Sequence, residues 1–218
     1  MKKLVSLALA AVLAVSAVGC GSSSDSSSST ADSAQSTEAA ADGATFKIGG
    51  IGPITGGAAI YGQAVMNAAQ MAVDKINADG GINGYQVEFR FEDDEHDAEK
   101  SVNAYNTLKD WGMQMLMGTV TSTPCTAVSA KTEEDNMFQL TPSGSAVESI
   151  APANAFRVCF SDPNQGTASA QYIGENKLAN KVAVIYNSSD VYSSGIYQTF
   201  ATEAANQGFE IVAAEAFT

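Results

Sequence analysis

Hydrophobic positions fall into two rhythms once a long polar stretch is passed. Phe46-Lys47-Ile48-Gly49-Gly50-Ile51, Gln86 to Phe91, the run closed by Gly118, Met137-Phe138-Gln139-Leu140 and Phe156 to Phe160 are short apolar or alternating runs, which predict strands. Between them apolar residues recur at helical spacing. Val65, Ala69, Ala72 and Ile76 predict one helix from about Tyr61 to Asn77. Val102, Tyr105 and Leu108 predict a second, with Asp97 as its cap, and a third follows Pro124 and ends near Asp135. Met113, Met115 and Met117 alternate with Gln114 and Leu116, which is strand core rather than a metal or cofactor box.

Strands alternating with helices across short loops predict parallel β-α-β units, hence an α/β fold with a doubly wound parallel sheet. Residues 44–161 hold five such strands. Asp162-Pro163-Asn164-Gln165-Gly166 reads as a loop, after which the pattern restarts over residues 162–218. That second part predicts a helix from about Thr167 to Asn176 and a strand Lys181 to Tyr186. A Ser-rich loop carrying Tyr192, a helix from about Gly195 to Asn206 and a strand from Phe209 follow. Two strands are too little sheet to stand as a domain, so this reads as the start of an incomplete second α/β lobe.

The amino end has a different pattern. Met1-Lys2-Lys3 precedes an apolar run from Leu4 to Val18, too short and Ala-rich for a membrane span, which reads as an export signal. Ser16-Ala17-Val18-Gly19-Cys20 resembles the lipobox of bacterial lipoproteins, with residues 1–20 as signal and Cys20 as the acylated residue. Ala17 departs from the usual Leu, and plain secretory cleavage is the rival reading. Residues 21–43 are almost wholly Ser, Ala, Thr, Asp and Gly. They cannot bury enough apolar surface to order themselves, and as a flexible tether they would span about 25 Å. The expected location is extracytoplasmic, lipid-anchored to the outer face of the cell membrane.

Candidate chemistry gathers at the carboxyl ends of the strands, where doubly wound sheets bind ligands. The loops there are Pro53 to Gly57, Thr119 to Thr123 and Pro142 to Ser145, all rich in Gly and hydroxyls. In Gly118-Thr119-Val120-Thr121-Ser122-Thr123-Pro124, Thr123 is placed to cap a helix and Pro124 to open it. Free N–H groups and hydroxyls would then meet at the positive end of a helix dipole, a seat for a small anion. A net charge of −13 and the absence of a basic stripe argue against nucleic acid. The acidic run Glu92 to Asp97 could attract a hard cation, but a solvated strand end plus helix cap is the preferred reading. His96 is the only histidine, so neither a His-pair metal site nor a choice of catalytic bases exists. The glycines from Gly50 to Gly56 miss the dinucleotide spacing and are interrupted by Pro53. No cofactor is implied and no reaction is expected. Beyond Cys20, Cys125 and Cys159 remain, as a pair or as two buried thiols.

Several of these segments together resemble the leucine/isoleucine/valine-type solute-binding proteins of ABC transporters, a branch of the type I periplasmic-binding fold. They are Ile48 to Gly56, Tyr61-Gly62, Ala72 to Gly84, Asp93-Asp94, Gly118 with Ser122, Leu140 to Ser143, Phe156-Arg157 and Asp162 to Gly166. The resemblance implies a two-lobed clamshell that captures a free amino acid, branched-chain or otherwise aliphatic, and delivers it to an ABC permease. In the family, the positions of Ser122, Ser143 and Ser145 hold the α-carboxylate and α-amine. Tyr61 matches a tyrosine lining the side-chain region, and Tyr192 one that closes over from the second lobe. The acid that pairs with the ammonium falls beyond Thr218. A first-lobe disulfide common in the family would fall at His96 and Thr121, and so is absent. The family also includes binders of amides and urea, and the same fold serves as a ligand-sensing receptor; both are alternatives.

Overall fold

The computed structural model describes residues 43–218. The export signal, Cys20 and the tether up to residue 42 lie outside the described residues. Strand β1 (Thr45–Gly52) opens the sheet. Helix α1 (Ala59–Ala78) leads from it to β2 (Gln86–Asp93), and α2 (Ala98–Trp111) leads back across to β3 (Met115–Gly118). Next come α3 (Ser122–Glu134), β4 (Gln139–Thr141), a 3₁₀ turn (Val147–Ile150) and β5 (Ala155–Arg157). The strand order is β2-β1-β3-β4-β5, parallel throughout. The chain leaves β1 toward one edge and returns to its other side. The carboxyl ends of β1 and β3 therefore flank the point where loops diverge and a crevice opens.

The main core forms where α2 and α3 cover the sheet. Ile51, Leu116, Met113, Ala104, Tyr105, Leu108 and Val128 are buried there, with Trp111 and Met137 packed against them. Burying each large side chain contributes roughly 1.5–3 kcal/mol. Asp135 ties the two helices, accepting from the Tyr105 hydroxyl at 2.8 Å and pairing with Lys109. Helix α1 buries Gly62 and Val73; Ala72, expected on its inner face, is exposed and Val73 takes the place. Gly62 is required because a Cβ there would stand 1.9 Å from the Pro53 carbonyl oxygen.

The second part carries α4 (Asp162–Glu175), β6 (Lys181–Asn187), α5 (Val191–Gln207) and β7 (Glu210–Phe217), with β6 and β7 parallel. Helices α4 and α5 meet at backbone distance: a Cβ on Gly166 would lie 2.0 Å from Thr199 Oγ1 and 2.4 Å from the Ile196 carbonyl oxygen. Ala170, Ala204 and Phe209 fill the seam beneath.

Several expected boundaries move. Asp162 to Gly166 is not a loop but the first turn of α4, because Ser161 caps it through the Asn164 N–H and Pro163 lacks the N–H that a first turn leaves unbonded. Helix α5 begins at Val191, not near Gly195, because Asp190 accepts from both Tyr192 N and Ser193 N. Tyr192 therefore sits on a helix. Strand β5 stops at Arg157, and Val158 and Phe160 beyond it are exposed. Trp111 closes α2, with Gly112 as a left-handed C-cap, so β3 is shorter than its apolar run. Among the described residues no helix is long and apolar enough to cross a membrane.

Candidate functional site

The start of α3 is set by Thr121, not Thr123. Thr121 has extended backbone angles and Cys125 N bonds to its carbonyl, so Ser122, Thr123 and Pro124 already form the first turn. Proline is tolerated there because its missing N–H would have had no intrahelical partner. The Thr121 hydroxyl does not cap the helix; it lies 2.9 Å from His96 Nδ1. Thr123 instead turns its hydroxyl to Asp190, 3.2 Å away on the second part of the chain. The positive end of α3 is thus left without a side-chain cap. The two positions where the resemblance places a disulfide are joined by a hydrogen bond instead.

Ser122 and Ser145 are brought together. Ser122 Oγ is buried and accepts from Ser145 N at 3.1 Å and Ala146 N at 3.2 Å, which pins the loop after β4 onto the helix. The Ser145 carbonyl is held in turn by Arg157 Nη1 at 2.8 Å and by Asp162 N at 3.0 Å. Ser143 joins less directly, donating through Oγ to the Val120 carbonyl at 2.6 Å while its residue stays exposed. Thr141 locks the same loops, donating to the Thr119 carbonyl at 2.6 Å and accepting from Gly144 N at 2.8 Å. Gln139, fully buried, donates to the Gly118 carbonyl at 3.0 Å. The loops after β3 and β4 are therefore tied into one unit by their own hydrogen bonds.

The tyrosines stand apart from this group. Tyr61 lies in the first turn of α1 and is 65% exposed. Tyr192, 39% exposed, lies in the first turn of α5, where its hydroxyl accepts from Gln165 Nε2 at 3.4 Å. It also borders an apolar concavity of about 370 Å³ between β6 and α5, away from the two serines.

The acidic run that closes β2 is exposed at Glu95 and Asp97, and Asp97 caps α2 as expected, but Asp93 and Asp94 are braces rather than solvated ends. Asp93 accepts from Ile54 N at 2.9 Å, Thr55 N at 3.4 Å, Glu95 N at 3.0 Å and the Thr55 hydroxyl, holding the loop after β1 in place. Burial raises its pKa, but the hydrogen bonds from Thr55, Glu95 and Ile54 outweigh that and keep the carboxyl below the usual range. Asp94 is fully buried, and only Oδ1 has a partner, the His96 N–H at 2.9 Å. Burial pushes its pKa up to about 6, opposed by that bond. Among the described residues no cluster of three or more His, Cys, Asp or Glu is arranged to hold a metal ion. Cys125 and Cys159 are unpaired, the first buried and the second half-buried, and burial raises both thiols.

Asp162 carries a signal that its position in a presumed loop hides. It is 1% exposed, and neither carboxylate oxygen has a hydrogen-bond partner. Burial pushes its pKa up, the Ser145 side chain opposes this, and the charge of Asp190 adds to it.

The parallel sheet, the uncapped start of α3 and the hydroxyls clustered beside it define an α/β fold with a polar switch point. The chain belongs to the periplasmic binding protein family, whose model matches residues 45–218. It is 34% identical over 172 residues to Leu/Ile/Val-binding protein homolog 3 of Brucella melitensis, covering 78% of this chain and 46% of that protein. It is 33% identical over 177 residues to the Leu/Ile/Val-binding protein BraC3 of Rhizobium johnstonii, covering 80% and 48%. Among solved structures, the branched-chain amino acid transporter substrate-binding protein LivJ of Streptococcus pneumoniae, in complex with isoleucine, superposes with a TM-score of 0.74. The identity is 30%, over 80% of this chain and 50% of that one. The leucine-binding protein LivK of Thermotoga maritima gives 0.73 at 26% identity, over 79% and 49%. The chain thus spans about half the length of the curated relatives it matches.

Proposed function

We propose that this chain is the binding component of an amino-acid ABC transporter, capturing a free branched-chain or other aliphatic amino acid outside the cytoplasm and delivering it to a membrane permease. The observation that carries this reading is the uncapped start of α3 beside the paired Ser122 and Ser145, in a chain similar to a structure that holds isoleucine. The ligand's carboxylate meets the N–H groups of Ser122 and Thr123 at the start of α3 and the hydroxyls of Ser122 and Ser145, while Ser143, whose proton goes to the Val120 carbonyl, shapes the loop beside it. The loop is already held in shape, so little ordering is spent on binding. Tyr61 supplies an aromatic wall for the aliphatic side chain, and Tyr192 closes from the second lobe. Closure removes water and strengthens each charge-assisted bond. The protein acts by binding and release, with no chemical step.

A ligand the size of leucine has about nine heavy atoms, and a ceiling near 1.5 kcal/mol each allows roughly 13 kcal/mol. Micromolar capture needs only about 8 kcal/mol, so a small, well-enclosed ligand suffices. A thermal-shift series with leucine, isoleucine, valine, acetamide and urea tests the ligand class. The aliphatic amino acids should raise the melting temperature and the amides should not; the reverse order would refute the proposal.

Anchoring through acylated Cys20 would keep this capture beside the permease, since each buried methylene contributes about 0.8 kcal/mol and two or more chains hold firmly. Cys20→Ser should move the expressed protein from the membrane fraction to the soluble extracytoplasmic fraction. An unchanged distribution would rule the anchor out.

A further inference from the structure

The three hydroxyls at the start of α3 are turned toward three different elements. Ser122 Oγ accepts from the N–H groups of Ser145 and Ala146, and Thr123 Oγ1 donates to Asp190 at 3.2 Å. Thr121 Oγ1 lies 2.9 Å from His96 Nδ1. This last contact runs against local preference. Thr121 is the N-cap residue by position, with a φ of −110° and a ψ of 154° in the extended region that caps adopt. Threonine is also a favoured cap, yet its side chain makes no cap bond.

A cap on this helix has one possible partner. A capping side chain accepts from the second or third N–H of the helix, and the third residue here is Pro124, which has none. The Thr123 N–H is therefore the single group for which the Thr121 hydroxyl and an incoming carboxylate compete. The contact with His96 holds Oγ1 away from it, whichever of the two atoms carries the shared proton.

His96 is presented for this contact by a braced turn. Its N–H bonds to the buried Asp94 at 2.9 Å, Glu95 N bonds to Asp93 at 3.0 Å, and Glu95 pairs with Lys100 at 2.6 Å. Glu95 and His96 both have left-handed backbone, with φ of 49° and 63°. Non-glycine residues rarely adopt it, and they keep it where the surroundings impose it. The turn thus sets an exposed imidazole, carried just beyond β2, against the N-cap of α3.

We infer that His96 is a positioning residue that keeps the ligand seat open by holding the Thr121 side chain off the Thr123 N–H. This rests on the proposed amino-acid ligand and adds to it a residue that acts through another: His96 sets how tightly the carboxylate is held.

The test compares this chain with His96→Ala and with the double variant His96→Ala/Thr121→Val, each titrated with leucine and followed through backbone amide resonances. In unliganded His96→Ala the freed Thr121 should cap the helix, so the Thr123 amide exchanges with solvent more slowly than in the parent. Leucine should bind about fivefold more weakly, the factor that a cap of typical strength contributes. Adding Thr121→Val removes the competing hydroxyl and should restore leucine affinity, which lost packing at His96 would not allow. Unchanged leucine binding in His96→Ala, or an unaltered Thr123 amide, would overturn the inference while leaving the proposed function standing. A double variant that binds as weakly as His96→Ala would also overturn it, by assigning the loss to structure. If the parent itself ignores leucine, the functional proposal falls and the inference with it. Should His96→Ala fail to fold, the unliganded parent decides: its Thr123 amide must exchange freely, and a protected amide refutes the inference.

Discussion

Ser122 has two duties that pull on the same oxygen. Its hydroxyl accepts from Ser145 N and Ala146 N, and in the proposed complex its proton goes to the ligand's carboxylate. Ser122→Ala would leave two buried N–H groups without an acceptor, at a cost of about 1–3 kcal/mol. The urea midpoint should fall accordingly, and leucine binding should weaken with it; an unchanged midpoint would mean the loop is held by something else. Asp94 is a second residue with a measurable consequence. Its folded pKa of about 6 lies above the ordinary 3.8, so the native state binds its proton more tightly than the unfolded chain does. The stability this contributes is complete below 3.8 and is lost as pH rises through about 6, some 3 kcal/mol in all. Asp94→Asn should remove that slope from the pH dependence of urea unfolding. A slope that persists in the variant would assign it to another group. Whether Ser122 caps a helix or meets a ligand is not decided by the sequence, and the roles of Ser143 and Ser145 rest on the resemblance, but the hydroxyl-rich loops that carry all three are legible in it. Asp94 and Asp162 are not, because a buried acid and an exposed one look the same in one dimension.

At the level of elements, helix starts show which sequence signals carry weight. Asp97 reads correctly as the cap of α2 because aspartate followed by a periodic apolar face has one sensible geometry. The run Thr121-Ser122-Thr123-Pro124 offers three hydroxyls, and proline favours Thr123 as the cap. The structure chooses Thr121, whose hydroxyl is drawn off by His96, a residue 25 positions away in the chain that no local rule consults. Helices α4 and α5 begin earlier than their apolar spacing suggests, since Ser161 and Asp190 fix the starts while the first turns face outward or toward each other. Their seam is tight at Gly166. Gly166→Ala would drive a methyl group into Thr199 and the Ile196 carbonyl, so α4 and α5 must separate, costing about 1–3 kcal/mol. A fall in thermal midpoint with no change at the amides of Ser122 and Ser145 is the expected result. An unaltered midpoint would mean that the seam yields without cost.

For the molecule as a whole, a parallel doubly wound sheet was readable because alternating strands and helices leave few topologies, whereas the strand order comes from the structure. The order β2-β1-β3-β4-β5 puts the switch point between β1 and β3, and the hydroxyl cluster sits at the carboxyl end of β3. The spatial relation of Tyr61 and Tyr192 to that cluster was not readable, because it depends on how two α/β units face each other rather than on either unit's pattern. The central claim is that the start of α3, with Ser122 and Ser145, receives an amino-acid carboxylate. Titrating this chain with leucine and with leucinamide, which lacks the carboxylate, while following backbone amide resonances tests it most directly. The account predicts saturable shifts at Ser122, Thr123 and Ser145 with leucine and little change there with leucinamide. Equal responses to both, or silence at these three amides with leucine in the tens of millimolar, would contradict it.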